Sequence, residues 1–547
     1  MNRTIKKIKR GADHDDSIKD QYKMYKCYKD GMFVEIDPEQ AKYYRQQCLN
    51  NLKQAKFNLS KIRLVNYKGF NELTIDLNNN VILIAANNGY GKTGVLEAIY
   101  LSLSWFFRLV YGSNQGWRFG DKYVSRLRGN DGMLVTLDVY LQNQEKKSFY
   151  KITSAKSLGL NLIKSEYADF KELAEMYAEF MNESIVPPMF SYYSVERGKN
   201  YPEGGFASSL ETTQNRLLDR LYPDSSLTIS ANIFPGFIRW ASDIKIKKSV
   251  QLAESTQGSI YSHEDASTVE KYLHHIHTSD LPDEVKQKLI TEQEAKLKYL
   301  RESSSAQNTP NIIKMEKIID MIFQLGCDFV DDITSIKLKY DEKLDAVDLV
   351  CVKRGCEISA SYLSHGEKST LSLLFDVALK LIQTCGTDDP FKGHGIIFID
   401  EIELHLHPSW QQSLILKLRN AFPNVKIIAT THSPNILNTV EEKAIRKIEY
   451  TEDKFSIDVP EFSFGAKASD VQREIQDVDE RSPVIEPTIN LIKFKKMMKE
   501  NAFDSSEADR LLEKILEWGD GRDPDVTKLK IDLELRRKRK AKKEQKE

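Results

Sequence analysis

The chain is 547 residues long, 41% apolar, with a formal net charge of −1. That length carries about two or three domains, and the charge balance excludes a global field that would draw nucleic acid, so such binding would need local patches. Six cysteines, at 27, 48, 327, 351, 356 and 385, form no Cys-x-x-Cys pair and fit reduced thiols in a cytoplasmic protein, no apolar run approaches the ~18 residues of a membrane span, and the first residues lack the apolar core of a secretory signal.

In chain order, residues 1–20 are polar and expected to be loose. Residues 21–52 predict a helix pair: Tyr22, Tyr25 and Tyr28 on one element, a break at Gly31 and Asp37-Pro38, then Ala41, Tyr44 and Cys48. The pair resembles a single Sel1-like repeat, and one repeat cannot bury its own face, so it should dock on the body or on a neighbour. Residues 1–56 are thus a helical extension. Residues 57–209 predict a first lobe, with strands at Lys61–Val65, Leu73–Leu77 and Val81–Ile84, a strand pair between Met133 and Ser154, and a strand at Pro187–Tyr193. Residues 210–330 predict a charged helical insert with a Ser-rich break at 303–310, too short and too poor in heptads for a long coiled-coil arm. Its clustered histidines 274, 275 and 277 lack metal-site spacing and read as solvated surface, and His405 and His407 read as local packing. Residues 331–465 predict a second lobe, with strands at Ile333–Leu338, Ala346–Val352, Gly395–Ile399 and Val425–Ala429. Residues 466–483 form a polar linker, and 484–547 are helical, with apolar stripes at Leu491, Phe494 and Met498 and at Leu511, Leu512, Ile515, Leu516 and Trp518. The stripes either pack on the body or dock a partner.

Four motifs carry chemistry. Ala86-Asn87-Asn88-Gly89-Tyr90-Gly91-Lys92-Thr93 lies between an apolar strand and a helix marked by Val95, Leu96, Ala98 and Ile99. Such a loop turns backbone N–H groups onto phosphate oxygens at a helix N-terminus. Lys92 would neutralise the β- and γ-phosphates of ATP, and Thr93 would bind Mg²⁺. Ala86 replaces the first glycine of the phosphate-loop pattern, which works if its φ stays negative. Asp400 and Glu401 end an apolar strand, where open α/β sheets bind ligands. Asp400 would hold the Mg²⁺ shell and Glu401 would act as general base on water. His432, 32 residues after Asp400, follows a third apolar strand and would contact the γ-phosphate. A capping role is the plainer alternative. In Leu363-Ser364-His365-Gly366-Glu367, Ser364 and Glu367 form a capping box on a following helix, and Gly366 would also allow close approach of a phosphate.

This order of motifs resembles the ABC-type ATPases, in the soluble branch shared by structural-maintenance, recombination and phage-defence proteins. Asp400-Glu-Ile-Glu403 with Leu406-His-Pro408 looks like the defence branch, and the whole is similar to the PtuA ATPases of Septu-type antiphage systems, also found as retron effectors. The resemblance implies an α/β fold: an ABC-type ATPase head with mixed β-sheet lobes, a helical insert and helical extensions at both ends. It implies a two-fold sandwich in which Ser364 and Gly366 of one chain contact the γ-phosphate held at Lys92 of the other. It also implies an HNH nuclease partner and, in retrons, a reverse transcriptase with its DNA–RNA product. The family's glutamine loop is left between Gln115 and Gln142. No Toprim carboxylates or other nuclease constellation follow His432. Residues 536–547 hold eight Lys/Arg and two Glu, either a solubilising end or a contact to nucleic-acid phosphates without base stacking. A stand-alone repair ATPase and a non-hydrolysing ATP-dependent scaffold remain the alternatives.

Overall fold

The computed structural model describes residues 3–110, 112, 119–120, 123–125, 132–156, 163–183, 185–195, 237–245, 309–341, 346–385, 390–452 and 454–544. Gln115, histidines 274, 275 and 277 and most of the expected helical insert lie outside the described residues. The chain divides into two compact units, Met1–Gly465 and Ala466–Glu547.

The polar start expected to be loose is a helix, α1 (Arg3–Asp13), held by buried Ile5 and Ala12. Two apolar contacts in eleven residues leave too faint a periodicity to read from sequence. Helix α2 (Ile18–Asp30) starts at Ser17, whose hydroxyl accepts from the Asp20 N–H, and stops at left-handed Gly31. Helix α3 (Pro38–Gln54) starts at Asp37, which caps two amides, with Pro38 in the first turn. The body covers the α2 face. Tyr22 and Tyr25 hydroxyls donate to Glu179 of α5 (Ala168–Phe180), and Lys19 and Lys26 each reach a carboxylate of α5 at 2.8 Å, Asp169 and Glu175.

Three sheets build the rest of this unit. An antiparallel five-stranded sheet runs β2-β1-β4-β5-β6, with β1 (Lys56–Tyr67), β2 (Phe70–Asp76), β4 (Leu134–Asn143), β5 (Lys146–Lys156) and β6 (Ile163–Glu166). A three-stranded antiparallel sheet joins β8 (Ile333–Asp341), β9 (Ala346–Lys353) and β10 (Cys356–Ser359). The six-stranded sheet has the order β14-β13-β3-β12-β11-β7. Its members are β3 (Val81–Ala86), β7 (Met189–Tyr193), β11 (Gly395–Ile399), β12 (Val425–Thr430), β13 (Ile445–Thr451) and β14 (Lys454–Asp458). All neighbours in it are parallel except β13 and β14. Strands β3, β11 and β12 are buried at every position, which explains the unbroken apolar runs of β3 and β11; β12 buries Lys426 among its apolar residues.

Helix α4 (Lys92–Val110) corrects the expectation about apolar runs: it is long and apolar enough to cross a membrane. It is instead a core helix, with Val95, Leu96, Ile99, Leu103 and Phe106 fully buried. Helices α6 (Thr309–Phe329), α7 (His365–Cys385) and α8 (Pro408–Ala421) also belong to this unit. The second unit comprises α9 (Ala468–Ile475), α10 (Glu486–Lys499), α11 (Ser506–Gly519) and α12 (Pro524–Glu544). Its apolar stripes face one another: Leu491, Phe494, Met498 and Ile515 share a core with Val526, Leu529 and Leu533, and Leu511, Leu512 and Leu516 pack against it. Trp518 lies under the Arg481 guanidinium, 5.9 Å from its ring centre.

Candidate functional site

The sheet order β3-β12-β11 sets three strand ends side by side, where open α/β sheets place ligands. The loop after β3 carries residues 87–91 into α4. Ala86 ends β3 in strand conformation, so it needs no glycine. Gly89 and Gly91 have φ of +84° and +79°, which a side chain disfavours. Gly91 is doubly constrained, since a Cβ there would lie 2.7 Å from the Phe70 ring. Lys92 is buried and folds over the loop, donating to the Ala86 and Asn87 carbonyls at 3.0 and 3.4 Å. Burial lowers its pKa, while the charges of Glu401, Asp400 and Glu403 oppose the shift.

Asp400, 2% exposed, joins the strand ends. One carboxylate oxygen accepts from Thr93 Oγ1 at 2.8 Å and the other from Thr430 Oγ1 at 2.6 Å. Thr430 Oγ1 in turn accepts from the Glu401 N–H at 2.7 Å. Glu401 has a left-handed φ of +45°, an uncommon state for a non-glycine residue and one found at functional turns. Thr93 and Asp400 present oxygen donors in contact, a set that fits a hard divalent cation.

His432 sits on the loop after β12, and Glu403 accepts its backbone N–H at 2.5 Å. Burial, then the Lys92 charge, lower the imidazole pKa, so the neutral ring persists to more acidic pH than in a free histidine. Thr430 and Glu403 belong to this constellation, yet neither was assigned a role from sequence. The only signal was their closeness to His432 and Asp400 in the chain.

Ser364 and Glu367 do form a capping box at the start of α7. The Ser364 N–H donates to Glu367 at 2.8 Å, and the Glu367 N–H donates to Ser364 Oγ at 3.4 Å. Burial would raise the Glu367 pKa, but Lys353 at 2.5 Å and the Ser364 backbone bring it below the usual carboxylate value. Gly366 packs against the backbone of His405, and a Cβ there would come within 2.2 Å of the His405 carbonyl oxygen. Gln142 is not at the strand ends that carry Asp400. It lines a cleft beside Gly395 and Val425, at the opposite ends of β11 and β12, which removes it as a nucleotide-contacting glutamine.

Comparison with known proteins places this geometry. The chain is 28% identical over 450 residues to the "Retron Vc95 probable ATPase" of Vibrio cholerae serotype O1 biovar El Tor, covering 81% of this chain and 84% of that protein. It is 27% identical over 551 residues to the "Retron Ec83 probable ATPase" of Escherichia coli, covering 98% and 97%. A shorter stretch, 151 residues at 30% identity, matches the Septu protein PtuA of Bacillus thuringiensis over 26% of this chain and 38% of that one. The family model described as AAA ATPase domain matches residues 58–437, from the first strand of the body past His432. The chain therefore belongs to the AAA ATPase domain family, and within it carries the ABC-type order of motifs.

Proposed function

We propose that this chain is a Mg²⁺-dependent ATPase that closes as a two-fold pair and, in antiphage defence, assembles with and controls an HNH nuclease. The likeness to retron ATPases supports adding a reverse transcriptase with its DNA–RNA product to the partners, as the family resemblance implies. What carries this reading is the hydrogen-bonded run Thr93–Asp400–Thr430–Glu401 across strand ends that meet only in the folded chain. The defence setting is taken from the similarity to retron and Septu ATPases.

In this mechanism the residue 87–91 amides and Lys92 bind the phosphates. Thr93 and Asp400 would hold Mg²⁺, which supplies charge neutralisation at the phosphate oxygens when bound. Glu401 takes the proton of the attacking water, and neutral His432 contacts the γ-phosphate from the loop that Glu403 fixes. Ser364 and Gly366 at the start of α7 close on the nucleotide of the second copy.

The test is kinetic. Glu401→Gln should keep ATP binding and slow turnover by roughly 10²–10⁴, whereas Lys92→Ala should abolish tight binding. Mixing Lys92→Ala with Ser364→Arg chains gives heterodimers in which one site carries both lesions and the other neither. Activity recovered on mixing supports the shared site. No recovery, with heterodimers shown to form, overturns it.

A further inference from the structure

The five-stranded and six-stranded sheets leave a cleft of about 390 Å³ between the β4–β5 hairpin and the first residues of β11 and β12. That volume is in the range of small-ligand sites. The polar side chains that line it are amides and basic groups, with no carboxylate. The side chains of Asn58, Asn80 and Gln144 make no hydrogen bond among the described residues, so their donors and acceptors are unspent. Lys56, exposed at the rim, makes no ion pair among the described residues. Lys426 lines the same cleft although it is 4% exposed, and its ammonium group, with three donors, meets the Leu77 carbonyl at 2.5 Å. That carbonyl is its one acceptor among the described residues, and the favourable charge of Asp76 is opposed by that of Arg446, so burying the ammonium is costly and an anion in the cleft would offset that cost and hold its proton. Phe57 supplies an apolar wall, packed edge-on against Phe190.

We propose that this cleft binds a nucleoside phosphate, its phosphate on Lys56 and Lys426 and its base edge on the amides beside Phe57. Absence of carboxylates rules against a cation, and paired donor and acceptor faces suit a base edge better than a bare anion. The site is separate from the phosphate loop. Strand β12 is six residues long, so the cleft and the Thr430 end lie roughly 17–20 Å apart. The ligand and ATP would thus touch opposite ends of the same two strands. The phosphate has two sources, a free nucleotide or the 5′ end of a nucleic-acid strand.

The experiment is calorimetric titration of the full chain carrying Lys92→Ala, which disables the phosphate loop, with dAMP, the 5′-phosphorylated dinucleotide pdAdA, deoxyadenosine and inorganic phosphate. Saturable binding of dAMP or pdAdA is expected, at least tenfold tighter than either fragment alone. Lys56→Glu, a surface change, should weaken it by about tenfold or more, and Lys426→Met should do the same. Tighter binding of dAMP identifies a free nucleotide, and tighter binding of pdAdA identifies a strand end. No saturable binding, binding indifferent to Lys56→Glu, or inorganic phosphate binding as tightly as dAMP each overturns the proposal. The full chain with Lys92 intact, titrated with ATP, reports on the phosphate loop, so failure of either site is read separately.

Discussion

Gly366 has a reason to be glycine inside its own chain. Sequence reasoning reserves it for the approach of a phosphate, but the His405 carbonyl already occupies the space a Cβ would take, at 2.2 Å. Gly366→Ala should therefore destabilise the chain by ~1–3 kcal/mol without any nucleotide, the usual range for overpacking. Thermal unfolding of the ligand-free protein checks this, and an unchanged midpoint with lost hydrolysis would return the glycine to the phosphate alone. Lys426 offers a second measurement. Burial pushes it down to about 7 from 10.5. Between those values the unfolded chain holds a proton that the folded chain lacks, so Lys426 makes stability rise as pH rises through that window. Relative to Lys426→Met, wild-type stability to urea should climb from pH 7 toward pH 10, by on the order of a few kcal/mol. A pH-independent difference between the two proteins would show that the lysine stays charged.

Strand β7 and helix α7 are coupled through one tyrosine. The Tyr193 carbonyl accepts the Asp400 N–H at 2.8 Å, and its hydroxyl donates to Asp376 of α7 at 2.8 Å. Lys380, a turn further along α7, reaches Asp376 and the Ser191 hydroxyl, each at 2.6 Å. All four side chains are buried, so the bonds are made away from competing water. The helix that begins with Ser364 is thereby tied to the strand edge that presents Asp400. Tyr193→Phe keeps the ring and removes one hydrogen bond to a charged acceptor, a loss of ~1–3 kcal/mol. The urea midpoint should fall accordingly, and hydrolysis should fall more than ATP affinity, because the linkage joins the helix that begins with Ser364 to the strand edge that presents Asp400. Equal stability of the two proteins would remove Tyr193 from this role.

At the scale of the whole molecule, the C-terminal unit spends on its own core most of the apolar stripes that looked ready for a partner. Part of its basic end is also paired: Arg537 and Lys540 with Asp504, and Arg536 with Asp532. These are three of the eight basic residues of 536–547, and the same helix carries a small apolar ridge. Ile531 and Leu535 stand one helical turn apart on α12, 55% and 49% exposed. Within the proposed nuclease assembly, Ile531→Glu with Leu535→Glu should abolish capture of the HNH protein in co-purification while leaving ATP binding unchanged. Undiminished capture would move the docking surface elsewhere. The N-terminal helices give less to a partner than their sequence suggests, since the α2 tyrosines already face Glu179.

The nucleotide motifs were legible in the sequence because each is local: a mainly apolar strand with the few residues that must follow its end, or, at Ser364, the capping box that opens a helix. Capping boxes, helix stops at Gly31 and the start at Asp37-Pro38 are local for the same reason. Tertiary structure alone decided how they meet. Thr93 and Asp400 are 307 positions apart and share a hydrogen bond only because β3, β12 and β11 pair side by side. Glu403 under His432, Tyr193 between strand and helix, and Gly366 against His405 are contacts of the same kind. So are the burial of α1, the inward turn of the C-terminal stripes and the placing of Gln142 at the far end of the sheet. Residue type and spacing fix what a short segment prefers; which buried group faces which depends on packing that no local pattern encodes.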